Sequence, residues 1–487
     1  MRLPGVTLFF AFLFSSIQLV CAQTEAERQN RAVFNRIEYF FNTQQTDSIY
    51  QLANEKFKEQ ISQTKLSNIL DQLYSLGKIQ SADQTGFTEG IATYTLDFET
   101  TTLDLQLGVD TNFRYGLFLI QPHQSTEQDE LPVEHEPAMK DSVISNVDTK
   151  SELDLYVDSV ARHYARNERV HSLSVAIIHQ NKINTFFYGE TQPGNNQLPD
   201  ANTSYEIGSI TKTFTATLLA DLVNKGRLRL DESIATYLPD SLAQNPNIKA
   251  ITFQMLANHT SGLPRLASNW NTGADFQKDN PYAHYTREDL FTYLVQFEPE
   301  NEPGTTYEYS NLGFGLLGEL LSILENKPYM QLISEHILTP LEMTNTTDQL
   351  LESEDNLAPP YDQDGQAVPF WKFQALAGAG SLSSTLNDLL RYSIAQLTYP
   401  ETDVQKSMHL TKQFTFFVPP NSDIGLGWHM TMIDGVIAYY HTGATSGSNC
   451  FIGFVPDEKS VVILLSNSTA ELDEMGSMML ERVLRTD

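Results

Sequence analysis

Apolar residues first recur at helical spacing, then at every second position. Phe34, Ile37, Phe40 and Phe41 share one helical face, and Leu66, Ile69, Leu70, Leu73 and Leu76 share another that stops at Gly77. A strand is expected over Ile91 to Phe98. Leu103, Leu105, Leu107 and Val109 then alternate with Asp104, Gln106 and Gly108, the mark of a half-buried strand. Asp110-Thr111-Asn112 turns the chain into a strand from Phe113 to Ile120. Helices followed by antiparallel strands predict a small α+β unit over residues 23–121.

Residues 122–148 break the pattern. Pro122, Pro132 and Pro137 stand among Glu127, Asp129, Glu130, Glu134 and Glu136, and the stretch reads as an acidic linker. From residue 149 a second pattern starts. Leu153, Val157, Val160 and Tyr164 predict an amphipathic helix, and Ser172 to His179 with Ile183 to Tyr188 predict a hairpin. Another helix runs from the Gly208-Ser209 region to Lys225, with Gly226 as its stop and Leu218, Leu219, Leu222 and Val223 as its buried stripe. Mixed helix and loop follow. Strands over Val436 to Gly443, Asn449 to Val455 and Val461 to Ser466 then form an antiparallel meander, and a helix over Ala470 to Leu484 closes the chain. The expectation for residues 149–487 is a two-lobed α/β enzyme with a cleft between an antiparallel sheet and a helical insert.

Composition adds an address and an exclusion. The chain of 487 residues carries a formal charge of −30, so a nucleic-acid partner is not expected. Arg2, the apolar run 6–20 and Val20-Cys21-Ala22 have the form of a signal peptide over residues 1–22, cleaved after Ala22. The alternative of a lipid anchor at Cys21 is disfavoured by the bulky Val20. The mature chain is then secreted or periplasmic. It keeps Cys450 without a partner for an internal disulfide. No later run is long enough to span a membrane, and no Cys or His pattern calls for a metal.

The candidate chemistry begins at Ser209. Ser-x-x-Lys occurs at Ser62/Lys65, Ser75/Lys78 and Ser209/Lys212. Three-residue spacing at a helix start puts hydroxyl and amine on one face. A serine needs an adjacent base to become a nucleophile, and a neutral amine can serve. Two later stretches single out Ser209. Tyr309-Ser310-Asn311 places a phenol and an amide two residues apart, facing one way in extended chain. Near a charged Lys212, Tyr309 would ionise more easily and act as a second base; Asn311 would hold a substrate carbonyl or brace Lys212. His441-Thr442-Gly443 ends a strand, where Gly443 would let substrate approach and the N–H groups of Ala444 and Ser209 would form an oxyanion hole.

Ser-x-x-Lys, Tyr-x-Asn and His-Thr-Gly in this order resemble the penicillin-recognising serine hydrolases, on the branch of class C β-lactamases, serine D-alanyl-D-alanine carboxypeptidases and related esterases. Asn258-His259-Thr260-Ser261-Gly262-Leu263-Pro264 and Gly425-Leu426-Gly427-Trp428 support the resemblance. It implies a β-lactamase/transpeptidase-like fold over 149–487. It also implies an acyl-enzyme at Ser209, Lys212 and Tyr309 as the acid/base pair, Asn311 orienting substrate, and His441 with Thr442 binding an anionic group or relaying protons. Class C β-lactamases usually carry lysine where His441 stands, which leaves peptidase or esterase activity the better expectation. Residues 23–121 resemble, in order and length, the nuclear-transport-factor-2-like domains, and imply an accessory role.

Several other features read as structural. His259 is expected to fix its loop. Gly313-x-Gly315-x-x-Gly318 matches a dinucleotide fingerprint without the strand that site needs, and is expected to serve helix packing. Glu206 reads as solvated. The expected function is a serine hydrolase acting on an amide or ester of a small molecule or peptide, without metal or cofactor. The alternatives are a β-lactamase and a non-catalytic, acyl-trapping or peptide-binding receptor.

Overall fold

A computed structural model describes residues 25–74, 76–88, 90–98, 101–122, 139–273, 275–350, 356–418 and 422–486. The expected signal peptide and most of the acidic linker lie outside these residues. The chain forms two compact units, divided between Val133 and Glu134.

The first unit opens with helices over Glu25–Asn42, Thr46–Gln51, Glu55–Gln60 and Gln63–Tyr74. Strands β1 (Ile79–Thr88), β2 (Ile91–Phe98), β3 (Thr102–Val109) and β4 (Tyr115–Pro122) follow in one antiparallel meander. Ala92, Tyr94, Leu96 and Phe98 face the helices, so β2 alternates as a sheet with one covered face must. Buried Asn30 reaches out of its helix to donate to Leu107 O at 2.6 Å and to accept from the Tyr94 phenol at 3.0 Å. Two expectations shift. Phe113 belongs to the turn, at φ 58°, so the last strand starts at Tyr115. Strand β1 carries mostly exposed polar residues and had no apolar signal.

The second unit is built on an eight-stranded sheet. Strands β5 (Ser172–His179), β6 (Lys182–Gly189), β9 (Phe416–Val418), β10 (Ser422–Ile424), β11 (His429–Ile433), β12 (Val436–Ala444), β13 (Asn449–Val455) and β14 (Ser460–Ser466) stand in the order β6-β5-β14-β13-β12-β11-β10-β9, antiparallel throughout. β7 (Ser204–Glu206) and β8 (Ser383–Thr385) form a separate pair.

The central strands are covered on both sides. Val175, Ile177, Val462 and Leu464 face the helices Glu152–Ala165 and Asp473–Leu484, while Ala176, Ile178, Ile463 and Leu465 face the helical lobe. This is the expected β-lactamase/transpeptidase-like arrangement. The helix Thr211–Asn224 lies inside the second layer and buries almost every side chain, Leu218, Leu219 and Leu222 included. Its end is sealed at Gly226, φ +68°, where the Gly226 and Arg227 N–H groups bond Val223 O and Leu222 O.

The expected linker ends earlier than residue 148. Lys140 N–H bonds Arg166 O, Ile144 O accepts from Gly189 N–H, and Asn146 Oδ1 accepts from Phe187 N–H at 3.1 Å. Val143 and Val147 pack on the core beneath. Residues 139–148 therefore attach to the second unit, running against the β6 edge.

Candidate functional site

Ser209 sits in a single 3-10 turn, Gly208–Ile210, which feeds the helix Thr211–Asn224. The turn is held against the end of β12. A Cβ on Gly443 would stand 2.1 Å from Ile207 O, and one on Gly208, whose φ is +45°, would stand 2.8 Å from Ala444 N. Both glycines are needed so that two backbones can touch. Gly443 thus admits the Ser209 turn, where substrate was expected. The same contact brings the Ala444 backbone beside Gly208, next to Ser209.

Lys212 is wholly buried, one helical turn on. Its Nζ lies 2.9 Å from Ser209 Oγ and donates to Ala379 O at 2.7 Å. No carboxylate meets it among the described residues. Burial, reinforced by the Arg265 guanidinium, holds its pKa well below the usual amine range. Burial thus favours the uncharged amine, the form that can act as a base. Ala379 is brought within reach by the glycine-rich helix Asn311–Glu325. A Cβ on Gly315 would stand 2.9 Å from Leu376 Cα, and one on Gly318 would stand 3.0 Å from Gly378 Cα. The fingerprint spacing serves close packing, as expected.

Tyr309 hydrogen-bonds Ser209, and Lys212 Nζ stands 4.9 Å from its ring centre. Burial pushes the phenol up to about 12. The expected easy ionisation is corrected by burial, which outweighs the Ser209 hydrogen bond and the Arg265 charge that favour a phenolate. The Tyr309 phenol therefore keeps its proton at pH 7.

The loop carrying Tyr309 is pinned by His259. At φ +62°, His259 turns its Nδ1 to accept from Ser310 N–H at 3.0 Å, while its carbonyl accepts from Glu308 N–H. Its ring lies 4.4 Å from that of Tyr309. Ser310 Oγ caps the following helix by accepting from Gly313 N–H at 2.8 Å, and donates to Pro264 O at 2.7 Å. His259 fixes its loop, as its Thr-Ser-Gly context implied.

Asn311 is buried, and its Nδ2 donates to the Tyr282 hydroxyl at 3.1 Å; Oδ1 has no partner. It does not brace Lys212. Tyr282 belongs to an aromatic wall. It stacks on Phe373 at 4.7 Å and meets Trp371 and Trp270 at 5.1 and 6.0 Å.

His441 is buried, with Nδ1 donating to Thr442 O at 2.6 Å and Nε2 unpartnered, its ring 6.4 Å from Tyr309. Burial, with His429 and Lys212 nearby, keeps it well below the usual imidazole range. A neutral imidazole presenting a lone pair cannot hold a carboxylate, so only the expected relay role fits. Thr442 lies on the opposite face of β12, where its hydroxyl bonds Asp473 at the head of the C-terminal helix. It does not join the site.

Glu206, expected in solvent, is 5% exposed. It accepts from Trp371 N–H at 2.5 Å and Thr445 Oγ1 at 2.7 Å, and burial raises it to about 7. It ties two segments flanking the site. Of the other Ser-x-x-Lys pairs, Ser62 caps a helix by accepting from Lys65 N–H at 3.2 Å, and Ser75 lies outside the described residues. Sequence reasoning missed the aromatic wall and Arg265. Arg265 directly follows the His259–Pro264 stretch, which was the available signal.

Comparison with known proteins agrees with this arrangement. The family description "Beta-lactamase" matches residues 157–481. The D-alanyl-D-alanine-carboxypeptidase/endopeptidase AmpH of Escherichia coli K12 is 30% identical over 318 residues, covering 62% of this chain and 80% of that protein. A beta-lactamase of Providencia stuartii is 28% identical over 345 residues, covering 64% of this chain and 86% of that protein. A class C beta-lactamase structure superposes with a TM-score of 0.62 at 23% identity, over 69% of this chain and 96% of that one. A beta-lactamase/D-alanine carboxypeptidase from Pseudomonas syringae gives 0.61 at 22%, over 69% and 99%. With a buried lysine beside a serine on a fold shared with class C beta-lactamase structures, the chain belongs to the beta-lactamase family, as a serine hydrolase.

Proposed function

We propose that this enzyme is secreted and cleaves amide bonds of small peptides, D-alanyl peptides first and esters of similar size second, through an acyl-serine at Ser209. The observation that carries the reading is Lys212: wholly buried, free of any carboxylate among the described residues, and 2.9 Å from Ser209 Oγ. A lysine buried for structure alone needs an anionic partner to offset its lost hydration. A lysine buried as a base has to lose its charge.

The steps follow from the contacts. Neutral Lys212 takes the Ser209 proton as Oγ attacks the substrate carbonyl carbon. The N–H groups of Ser209 and Ala444 receive the carbonyl oxygen as it becomes an oxyanion. Tyr309 passes a proton to the departing amine or alkoxide and recovers it from Lys212; His441 Nε2 accepts hydrogen bonds at the rim of this relay. Water then attacks the acyl-enzyme by the reverse route. Asn311, with its amide oxygen unpaired, holds the substrate amide, and the wall of Tyr282, Phe373 and Trp371 takes its apolar part. The names of the relatives support the choice of substrate. The signal-like residues 1–22 support secretion, and no helix among the described residues is long and apolar enough to cross a membrane.

The test is a fluorophosphonate label with a panel of D-Ala-D-Ala peptides, p-nitrophenyl esters and nitrocefin. Wild type is expected to label and turn over the peptides. Ser209→Ala should do neither, and Lys212→Met should lose roughly 10²- to 10⁴-fold in kcat. Labelling without turnover of any substrate would mark an acyl trap; folded wild type that never labels would end the proposal.

A further inference from the structure

The site has an unusual charge. Lys212, His259 and His441 are each held well below their ordinary ranges by burial, and His429 falls to about 4. The three histidines carry no fixed charge at pH 7, and Lys212 is wholly buried with its Nζ turned to Ser209 Oγ and Ala379 O. None of them is placed to grip a substrate anion, although the chain is strongly acidic and its other arginines are mostly engaged. Arg227 holds Glu325, Arg287 holds Glu319 and Arg485 holds Asp434.

Among the described residues Arg265 is engaged with no acid. It is exposed, and its guanidinium carbon stands 5.2 Å from the centre of the Tyr309 ring. Among the described residues no carboxylate or carbonyl accepts from its side chain. Its backbone is fixed: Arg265 O accepts from Leu312 N–H, and Pro264 O accepts from Ser310 Oγ. A guanidinium laid on an aromatic face keeps its N–H edge open, the edge that grips a carboxylate through two parallel bonds. The ring it covers is the one that Lys212 Nζ approaches to 4.9 Å, so the guanidinium stands beside the site.

We propose that Arg265 recognises a carboxylate on the substrate, giving this enzyme a preference for negatively charged acyl donors or leaving groups that His441 cannot supply. The inference rests on the acyl-serine reading above. Arg265 would act as a specificity residue through ground-state and transition-state binding alike, so its loss should appear mainly in KM.

A second role must be separated. The guanidinium also helps keep Lys212 unprotonated, so removing it moves the acid limb of the pH profile upward for every substrate. A ratio of two substrates at one pH cancels that effect. The experiment therefore uses matched pairs on the full chain. p-Nitrophenyl glutarate against p-nitrophenyl butyrate tests a carboxylate on the acyl side. An acylated D-Ala-D-Ala against its C-terminal amide tests one on the leaving side. Wild type is expected to favour the charged member of at least one pair by about tenfold or more in kcat/KM, less so at high salt. Arg265→Gln should bring that ratio near one, and Arg265→Lys should restore part of it. Labelling by a neutral alkyl fluorophosphonate is followed in parallel. Wild type that labels but shows no preference in either pair overturns the inference alone, as does a preference that survives Arg265→Gln. Wild type that does not label overturns the acyl-serine reading, and this inference with it.

Discussion

Three residues before the nucleophile, Glu206 holds a carboxyl where water cannot solvate it. Its two donors, Trp371 N–H and Thr445 Oγ1, favour the charged form, yet burial outweighs them and sets its pKa near 7 against an ordinary 4.5. The folded chain then binds a proton between those values that the unfolded chain does not. Stability tied to Glu206 is therefore greatest below about pH 4.5, declines as pH rises to about 7, and levels off above. Glu206→Gln cannot ionise and should escape the decline. The melting temperature of the variant relative to wild type should climb between pH 5 and pH 8, by up to about 3 kcal/mol of relative stability. A difference that stays constant across that range would refute the assignment. The burial of Glu206 was not legible in the sequence, because its partners lie 165 and 239 residues away. Lys212 was legible, since its partner Ser209 lies three residues away on the same turn. The burial of Tyr309 was not, and with it went the expectation that Tyr309 ionises easily.

At the scale of elements, the decisive contact is strand β12 against the Ser209 turn. It tolerates no side chain at Gly443, where a Cβ would face backbone rather than a flexible side chain. Gly443→Ala should therefore destabilise the chain by about 1–3 kcal/mol and lower kcat by pushing Ser209 off its geometry. Ala444→Ser places its new atom in the open and should leave the melting temperature within about 0.5 kcal/mol of wild type. Paired melting curves and turnover would decide: equal behaviour of the two variants would mean the turn can shift freely. The strand itself was legible because its apolar run ends in His-Thr-Gly. Strands β13 and β14 are buried on both faces, so alternation said nothing about them, and they were found from their length and flanking turns. Strand β1 was missed for the opposite reason. It is a polar edge strand with register shifts at Ile79/Ser81 and Gln84/Gly86.

At the scale of the whole molecule, each unit closes its own core, and the question is where the second one starts. Composition placed the start at residue 149, because prolines and acids upstream look unstructured. Hydrogen bonding places it earlier. Without residues 139–148, Gly189 and Phe187 N–H on the β6 edge lose Ile144 O and Asn146 Oδ1. Arg162 likewise loses Val143 O and Ser145 Oγ, its contacts at 3.3 and 2.9 Å. Val143 and Val147 would no longer cover the apolar residues under the sheet. An uncovered edge is also a surface on which another chain can pair. A chain beginning at residue 139 is expected to melt in one transition and to label at Ser209. A chain beginning at 149 should melt a few degrees lower, at a cost of about 1–3 kcal/mol in lost contacts, and aggregate more readily while still labelling. Calorimetry and light scattering on the two would settle the boundary. Equal melting temperatures would return residues 139–148 to the linker, because a segment whose removal costs nothing is tethered to the fold without being part of it.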